Sequence, residues 1–464
     1  MLKPVRRIHF LGICGTAMGA VAAAIQELGF VVTGSDDNVY PPMSTFLAKK
    51  GIPINTGFRG ENLPGEVDLV VVGNAISRGN PELEAVLDRK LLYRSLSETL
   101  KEFFLQGKNN IVVTGTHGKT TTTSLITWVF RVAGLNPGFL IGGIAKDLGQ
   151  GAAFPDSRHF VIEGDEYDTA FFDKRSKFLH YLPETLVINN IEFDHADIFA
   201  NLEEILVSFR RLINIVPRSG KIFVNADDPH CADVARQAFA PVLTVGFSAS
   251  ATHRIEQMGS QELGSTFRIG PESYSVPLLG QFNVRNSAMA VCVCQAYGIS
   301  PEVIRNALQK FTGIARRQEV RGEVNGIKVI DDFGHHPTAI KETLLALRYR
   351  YPKSRLWAIF EPRSNTTRRA VFQAELPAAL SIADGAVIAP VARLDQLPVN
   401  DRLDPLKLIE TIRETGKPAF YESSIDEIVN RVKPLAHSGD AIVIFSNGGF
   451  GGIHDKLLKE LSAG

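Results

Sequence analysis

Gly115-Thr116-His117-Gly118-Lys119-Thr120 directly follows the apolar run IVVT and directly precedes a helical pattern. A glycine-rich turn there lets backbone N–H groups approach phosphate oxygens, and the helix N-terminus adds a favourable dipole. Lys119 would neutralise the β- and γ-phosphates of a nucleotide, and the Thr120 hydroxyl would ligate Mg²⁺. The first glycine stands only three residues before the second, a departure from the usual phosphate-loop spacing. Strand, loop and helix in that order still favour a bound nucleotide over an empty turn.

Other apolar runs end in residues fit for chemistry. Glu163-Gly164-Asp165-Glu166-Tyr167-Asp168 follows HFVI, and its carboxylates could hold Mg²⁺ opposite Thr120. Glu192-Phe193-Asp194-His195 follows TLVINNI, with His195 a candidate further ligand. Asp331-Asp332-Phe333-Gly334-His335-His336 and Glu361-Pro362-Arg363-Ser364-Asn365 cap two more runs, and Arg363 offers a fork for a carboxylate or phosphate. Ser446-Asn447-Gly448-Gly449-Phe450-Gly451-Gly452 follows AIVIF, with more glycine than a turn requires, so a ligand approaches its backbone closely. Near the N-terminus, Gly12-Ile13-Cys14-Gly15-Thr16 joins a strand to a helix, with Cys14 where a dinucleotide fingerprint has its middle glycine. Asp36 ends the next strand, where an acid could meet a ribose. Two phosphate-binding loops suggest two nucleotides, one of them a substrate carrier.

These residues need strands that end together. Short β-branched runs alternate with helical patterns and restart three times, which predicts an α/β protein with parallel sheets. The expected domains are 1–107, 108–316 and 317–464. Residues 248–278 are polar and less periodic, and read as a β-rich insertion or a loop. The 464 residues suit about three domains. Lys plus Arg and Asp plus Glu each total 50, and zero net charge argues against a main task of gripping nucleic acid or an acidic membrane. No apolar run approaches the roughly 18–20 residues of a membrane span, and four cysteines are too few for a disulfide framework. The expectation is a soluble, cytoplasmic protein.

Taken together, GICGTAMG, GTHGKTTTTS, NNIEFDH and DDFGHHPT resemble the ATP-dependent Mur ligase family, in the branch acting on UDP-N-acetylmuramate. The resemblance covers essentially the whole chain. It implies a three-domain architecture: an N-terminal Rossmann-like UDP-binding domain, a central P-loop ATPase domain and a C-terminal Rossmann-like domain. The stretches GSDDNVYPPMS, GNAISRGNP, EGDEYDTAFFDKRSKF, EPRSNT and SNGGFGGIH resemble members that transfer the tripeptide L-Ala-γ-D-Glu-meso-diaminopimelate in peptidoglycan recycling. Members that add free L-alanine are the alternative. They carry a serine pair where Gly73-Asn74 stand, and histidine-arginine where Pro362-Arg363 stand.

The resemblance also implies roles for single residues. ATP would meet Gly115, Thr116, Gly118, Lys119, Thr120 and Thr121, with Asn283 and Asn286 at the adenine and Arg317 and Asp332 as further contacts. Mg²⁺ would be held by Thr120, Glu163 and His195. Gly12, Cys14, Gly15, Thr16, Asp36, Asn74 and Ala75 would bind the UDP-sugar. Tyr167, Ser364, Asn365, Asn447, Gly448 and Gly449 would face the peptide. Lys119, His195, His335 and Arg363 would carry the chemistry, with His335 near the acyl phosphate or the incoming amine. The implied partners are small molecules only, with no nucleic acid or membrane insertion, and the chain is expected to be a monomer or weak homo-oligomer.

Overall fold

The computed structural model describes residues 5–261 and 264–463. The described chain is α/β throughout and forms two compact units. The first takes in residues up to Glu192, then Glu203–Arg254 and Ala288–Ala307; the second takes in Phe193–Leu202, Ile255–Ser287 and residues from Leu308 onward. None of the described helices is long and apolar enough to cross a membrane.

In the first unit, strand Arg7–Leu11 lies between Val31–Asp36 and Leu69–Val72, with Ile54–Thr56 and Tyr93–Ser95 at the edges. All pairings in this sheet are parallel. A second parallel array is centred on Asn109–Thr114, which pairs with Pro183–Ile188 on one side and His159–Gly164 on the other. Ile111, Val112 and Val113 are fully buried. An unbroken apolar run of this kind marks a strand covered on both faces.

Helix Lys119–Val132 begins with the sequence KTTTT, in which threonine is a poor helix former. Most of the helix is buried. The polarity is absorbed locally: Thr123 Oγ donates to the Lys119 carbonyl and Thr127 Oγ to the Thr123 carbonyl, each at 2.8 Å. Hairpin Asp168–Ala170/Asp173–Ser176 projects from this region. Its tip residues Phe171 and Phe172 pack on the core around Leu11, Val70 and Leu83, and Phe172 meets the Tyr93 ring edge-on at 4.9 Å.

In the second unit, Ile327–Asp332, Ala441–Phe445, Leu356–Phe360, Gly385–Ile388 and Ala419–Tyr421 form a parallel sheet, with Glu319–Val324 antiparallel at one edge. Separate apolar clusters include Leu344, Leu376 and Leu408 in one, and Ile428, Ile453 and Leu457 in the other. The polar 248–278 segment supplies antiparallel strands His253–Gln261, Gly264–Ile269 and Glu272–Val276, so the β-rich reading holds. The expected strands all formed, and some run into the motif residues: His159–Gly164 takes in Glu163, and Val31–Asp36 ends on Asp36. IKVIDDFGHHP is a strand only to Asp332.

Candidate active site

The loop after Asn109–Thr114 turns sharply. Gly115 has φ +128°, and a Cβ there would stand 2.9 Å from the Asn190 carbonyl oxygen, so only glycine fits. Gly118, at φ +81°, caps the helix N-terminus without a side-chain hydrogen bond. The loop is fastened to the neighbouring strand end. The His117 N–H donates to Asn190 Oδ1 at 2.7 Å, Asn190 Nδ2 donates to the His117 carbonyl at 3.1 Å, and the Glu192 N–H donates to Thr116 Oγ at 2.8 Å. Asn190 was not singled out from sequence, although the Asn189-Asn190 pair closing an apolar run was a visible signal. Asn189 Nδ2 donates to Thr122 Oγ at 3.1 Å and steadies the same helix.

Lys119 Nζ donates to the Gly115 carbonyl at 2.7 Å and to Glu166 Oε2 at 2.8 Å. Burial alone would lower the ammonium's pKa, but the adjacent Glu166, Asp165 and Glu163 carry it upward, so Lys119 keeps its charge. The Thr120 hydroxyl lies against the Glu163 carboxylate and hydrogen-bonds to it. Burial, then the nearby Asp165, push the Glu163 carboxyl up to about 7. The Gly142 N–H donates to Glu163 Oε1 at 2.8 Å. A partly buried carboxylate cluster beside a threonine hydroxyl offers hard oxygen donors where positive charge would relieve repulsion, so the residues present fit a Mg²⁺ ion. Thr121 is buried one position further along the helix. Tyr167 lies beneath the Lys177 ammonium, 3.9 Å from the ring centroid.

At the N-terminal sheet, the Gly12 and Ile13 N–H groups both point to the Ser35 carbonyl, at 2.8 and 3.2 Å. Asp36 accepts from the Cys14 N–H and the Asn38 N–H, each at 2.8 Å, so its carboxylate organises the loop. Helix Thr16–Glu27 follows Gly15, and no side chain caps it. Asn74 and Ala75 form an exposed turn after Leu69–Val72. Beneath this end, His9 Nε2 meets Glu82 Oε1 at 2.7 Å, and Ser35 Oγ donates to the same oxygen at 2.8 Å; all three side chains are fully buried.

The second unit carries the remaining expected residues. His195 has φ +54°, a conformation uncommon outside glycine. Asp194 beside it accepts from Thr366 Oγ at 2.6 Å and lies 3.8 Å from His335 Nε2. Burial opposes its charge, yet His335, His195 and Thr366 hold its carboxyl well below the usual range. His336 is the N-cap of helix Pro337–Arg350, accepting the Thr338 N–H at 3.2 Å, whereas His335 is only partly buried. Asp332 accepts from Gln318 N–H at 2.9 Å and Gly334 N–H at 2.7 Å, and burial raises its pKa. Arg317 lies over the Phe333 ring, 5.1 Å from its centroid. Asn283 and Asn286 are buried one helical turn apart, 3.5 Å from amide to amide oxygen. Asn365 Nδ2 donates to Asp197 at 2.6 Å, and Ser364 Oγ accepts the Thr367 N–H at 3.1 Å. Arg363, Asn447, Gly448 and Gly449 gather beside strand ends Leu356–Phe360 and Ala441–Phe445.

Comparison with known proteins covers nearly the whole chain. Family models match in sequence order: "Mur ligase family, catalytic domain" over residues 7–108, "Mur ligase middle domain" over 113–294 and "Mur ligase, glutamate ligase domain" over 316–448. The chain is 42% identical over 461 residues to the UDP-N-acetylmuramate–L-alanyl-γ-D-glutamyl-meso-2,6-diaminoheptandioate ligase of Escherichia coli strain K12, with 98% of each chain covered. It is 41% identical to the enzyme of the same name from Haemophilus influenzae, covering 98% of this chain and 99% of that one. A crystal structure of a murein peptide ligase from Psychrobacter arcticus superposes with a TM-score of 0.73 at 37% identity, covering 98% and 99%.

Proposed function

We propose, for a chain that belongs to the Mur ligase family, that it joins the tripeptide L-Ala-γ-D-Glu-meso-diaminopimelate to UDP-N-acetylmuramate at the expense of ATP. The observation carrying ligase chemistry is the fastened loop that sets Lys119 against Glu166 and Thr120 against Glu163. The choice of tripeptide follows the two curated relatives.

A carboxylate is a poor electrophile, so the lactyl carboxylate of the sugar nucleotide attacks the γ-phosphate of ATP, giving an acyl phosphate and ADP. The alanyl amine then attacks the acyl carbon, and a tetrahedral intermediate collapses to amide and phosphate. Two anions meet in the first step, and Lys119 supplies positive charge where it develops. Thr120, Glu163 and His195 are the residues that would hold Mg²⁺, which would neutralise phosphate charge when bound. Gly115, Thr116, Gly118 and Thr121 would surround the phosphates, and Asn283, Asn286, Arg317 and Asp332 would complete the ATP contacts. Gly12, Cys14, Gly15, Thr16, Asp36, Asn74 and Ala75 would hold the UDP-sugar. The amine must lose a proton. An α-amino group with pKa near 8 is partly neutral at pH 7, so His335 needs only to accept the last proton. Arg363, with Tyr167, Ser364, Asn365, Asn447, Gly448 and Gly449, would face the peptide. The domains are assigned to 1–107, 108–316 and 317–464. The setting is cytoplasmic recycling of cell-wall peptide by a monomer or weak homo-oligomer.

The test supplies ATP, Mg²⁺ and UDP-N-acetylmuramate with either L-alanine or the tripeptide, and identifies the product by mass. The tripeptide conjugate is expected. Conversion of L-alanine alone would overturn the assignment.

A further inference from the structure

We infer that Arg316 is a positioning residue that shapes the loop receiving the amine substrate and, through that loop, aims Arg363. The inference rests on the reading of Ser446–Gly449 as peptide-facing. Arg316 was not among the residues singled out from sequence, where its neighbour Arg317 drew attention.

Arg316 stands at φ +62°, and Gln318 at +49°, so the chain turns sharply on either side of Arg317. The turn is anchored. The Arg316 N–H donates to Glu319 Oε2 at 2.8 Å, and its carbonyl accepts the Phe333 N–H at 2.8 Å. The two arginines then divide. Both lie over the Phe333 ring, with guanidinium carbons 5.2 and 5.1 Å from its centroid. The polar edge of Arg316 turns to the glycine loop. Its Nη2 donates to the carbonyls of Ser446 and Gly448, each at 2.7 Å, while Nε donates to the buried Asp331 carboxylate at 3.2 Å. One planar cation therefore ties two carbonyls of the loop to strand Ile327–Asp332.

The tie has a result at the loop surface. With its carbonyls held back, Ser446 turns its hydroxyl to Glu361, donating at 2.5 Å, and accepts the Gly448 N–H at 3.0 Å. Gly448 is thereby pressed onto Arg363: a Cβ there would lie 2.5 Å from Arg363 Nε and 2.7 Å from its Cδ. Arg363 Nη1 lies 3.4 Å from Glu361, and its side chain remains 47% exposed. The fork that can read a peptide carboxylate is thus set by a bare α-carbon on one side and Glu361 on the other, and both depend on the conformation Arg316 imposes. Lysine keeps the charge but lacks the planar fork that serves two carbonyls and a carboxylate together.

The test uses the full-length protein and the variants Arg316→Lys, Arg316→Gln and Gly448→Ala, with separate KM values for amine, ATP and UDP-N-acetylmuramate, kcat, and a melting curve. Loss of charge-assisted hydrogen bonds in the two Arg316 variants, and displacement of Arg363 in Gly448→Ala, should each raise the amine KM about tenfold or more, with the other two KM values moving less than about twofold. An unchanged amine KM, or an equal rise in all three KM values, overturns the inference. If the Arg316 variants do not fold, Gly448→Ala decides, because its added Cβ meets Arg363, the last link of the chain that begins at Arg316, and an unchanged amine KM there overturns the inference. The wild-type arm keeps the functional reading separate. A wild type inactive with tripeptide but active with L-alanine sinks that reading, and the KM for L-alanine then decides the role of Arg316.

Discussion

The Lys119 ammonium lies 2.8 Å from the Glu166 carboxylate, in the loop assigned to the ATP phosphates. Glu166 is almost fully buried, so the pair is poorly screened. Incoming phosphates must share this cation or take it from Glu166. Lys119→Ala should reduce ligation about a thousandfold or more, while UDP-N-acetylmuramate binding, measured by calorimetry, stays within about twofold. Retained ligase activity would remove the phosphate-loop assignment. Glu166→Gln relieves the competition and should tighten ATP binding several-fold; weaker ATP binding would instead mark Glu166 as the group that holds Lys119 in position.

Asn190 is the clasp of the same loop, joined to His117 through both its side-chain donor and acceptor. Asn190→Ala should cost about 1–3 kcal/mol of stability and raise the ATP KM about tenfold. A variant whose ATP KM is normal would show that the loop holds its shape unaided.

Thr120 and Glu163 share a hydrogen bond where Mg²⁺ is proposed. Thr120→Ala should shift the Mg²⁺ concentration for half-maximal ligation upward about tenfold, and chelation should stop ligation without releasing UDP-N-acetylmuramate. Titration of activity against Mg²⁺ checks both. An unshifted midpoint counts against Thr120 as a ligand.

Asp173 gives a pH dependence of known sign. Burial works to raise its pKa, but hydrogen bonds from Arg175, followed by the charges of Arg175 and His180, bring it down to about 2. A lowered carboxyl pKa adds stability that is full above the unfolded value near 4 and lost as pH falls toward about 2. The melting-temperature gap between wild type and Asp173→Asn should therefore hold steady above pH ~5 and close below pH ~3. A gap that persists at the lowest pH would contradict the shift.

Beneath the N-terminal loop, Glu82 serves His9, Ser35, Asn62 and the Arg59 N–H at once. Glu82→Ala leaves His9 and Ser35 buried without that acceptor and should cost about 3–5 kcal/mol in denaturant unfolding. A loss below about 1 kcal/mol would show that water replaces the carboxylate.

What the sequence made legible was local. Apolar runs followed by glycine or acids marked the ends of strands, and burial on both faces leaves an unmistakable run such as Ile111–Val113. Contacts between distant positions left no such trace. Glu166 lies 47 residues from Lys119, and Asn190 lies 73 from His117. Arg316 and Arg317 are identical letters side by side; only the left-handed backbone at 316 and 318 sends one toward the glycine loop. His335 and His336 are likewise identical letters side by side, and only the structure makes His336 the cap of helix Pro337–Arg350.

The hairpin tip at Phe171-Phe172 bears on how the chain could be divided. Its rings cover Tyr93 and the flank of a core built from Leu11, Val70, Val72 and Leu83, all of which precede residue 107, the proposed end of the first domain. A fragment cut at residue 107 would keep that flank and lose its cover, leaving an apolar face open to water. The N-terminal sheet is therefore not autonomous in the way its sequence limits imply. Expressed alone, it should aggregate or pair with itself, and a polar replacement of Tyr93 should restore solubility to the fragment.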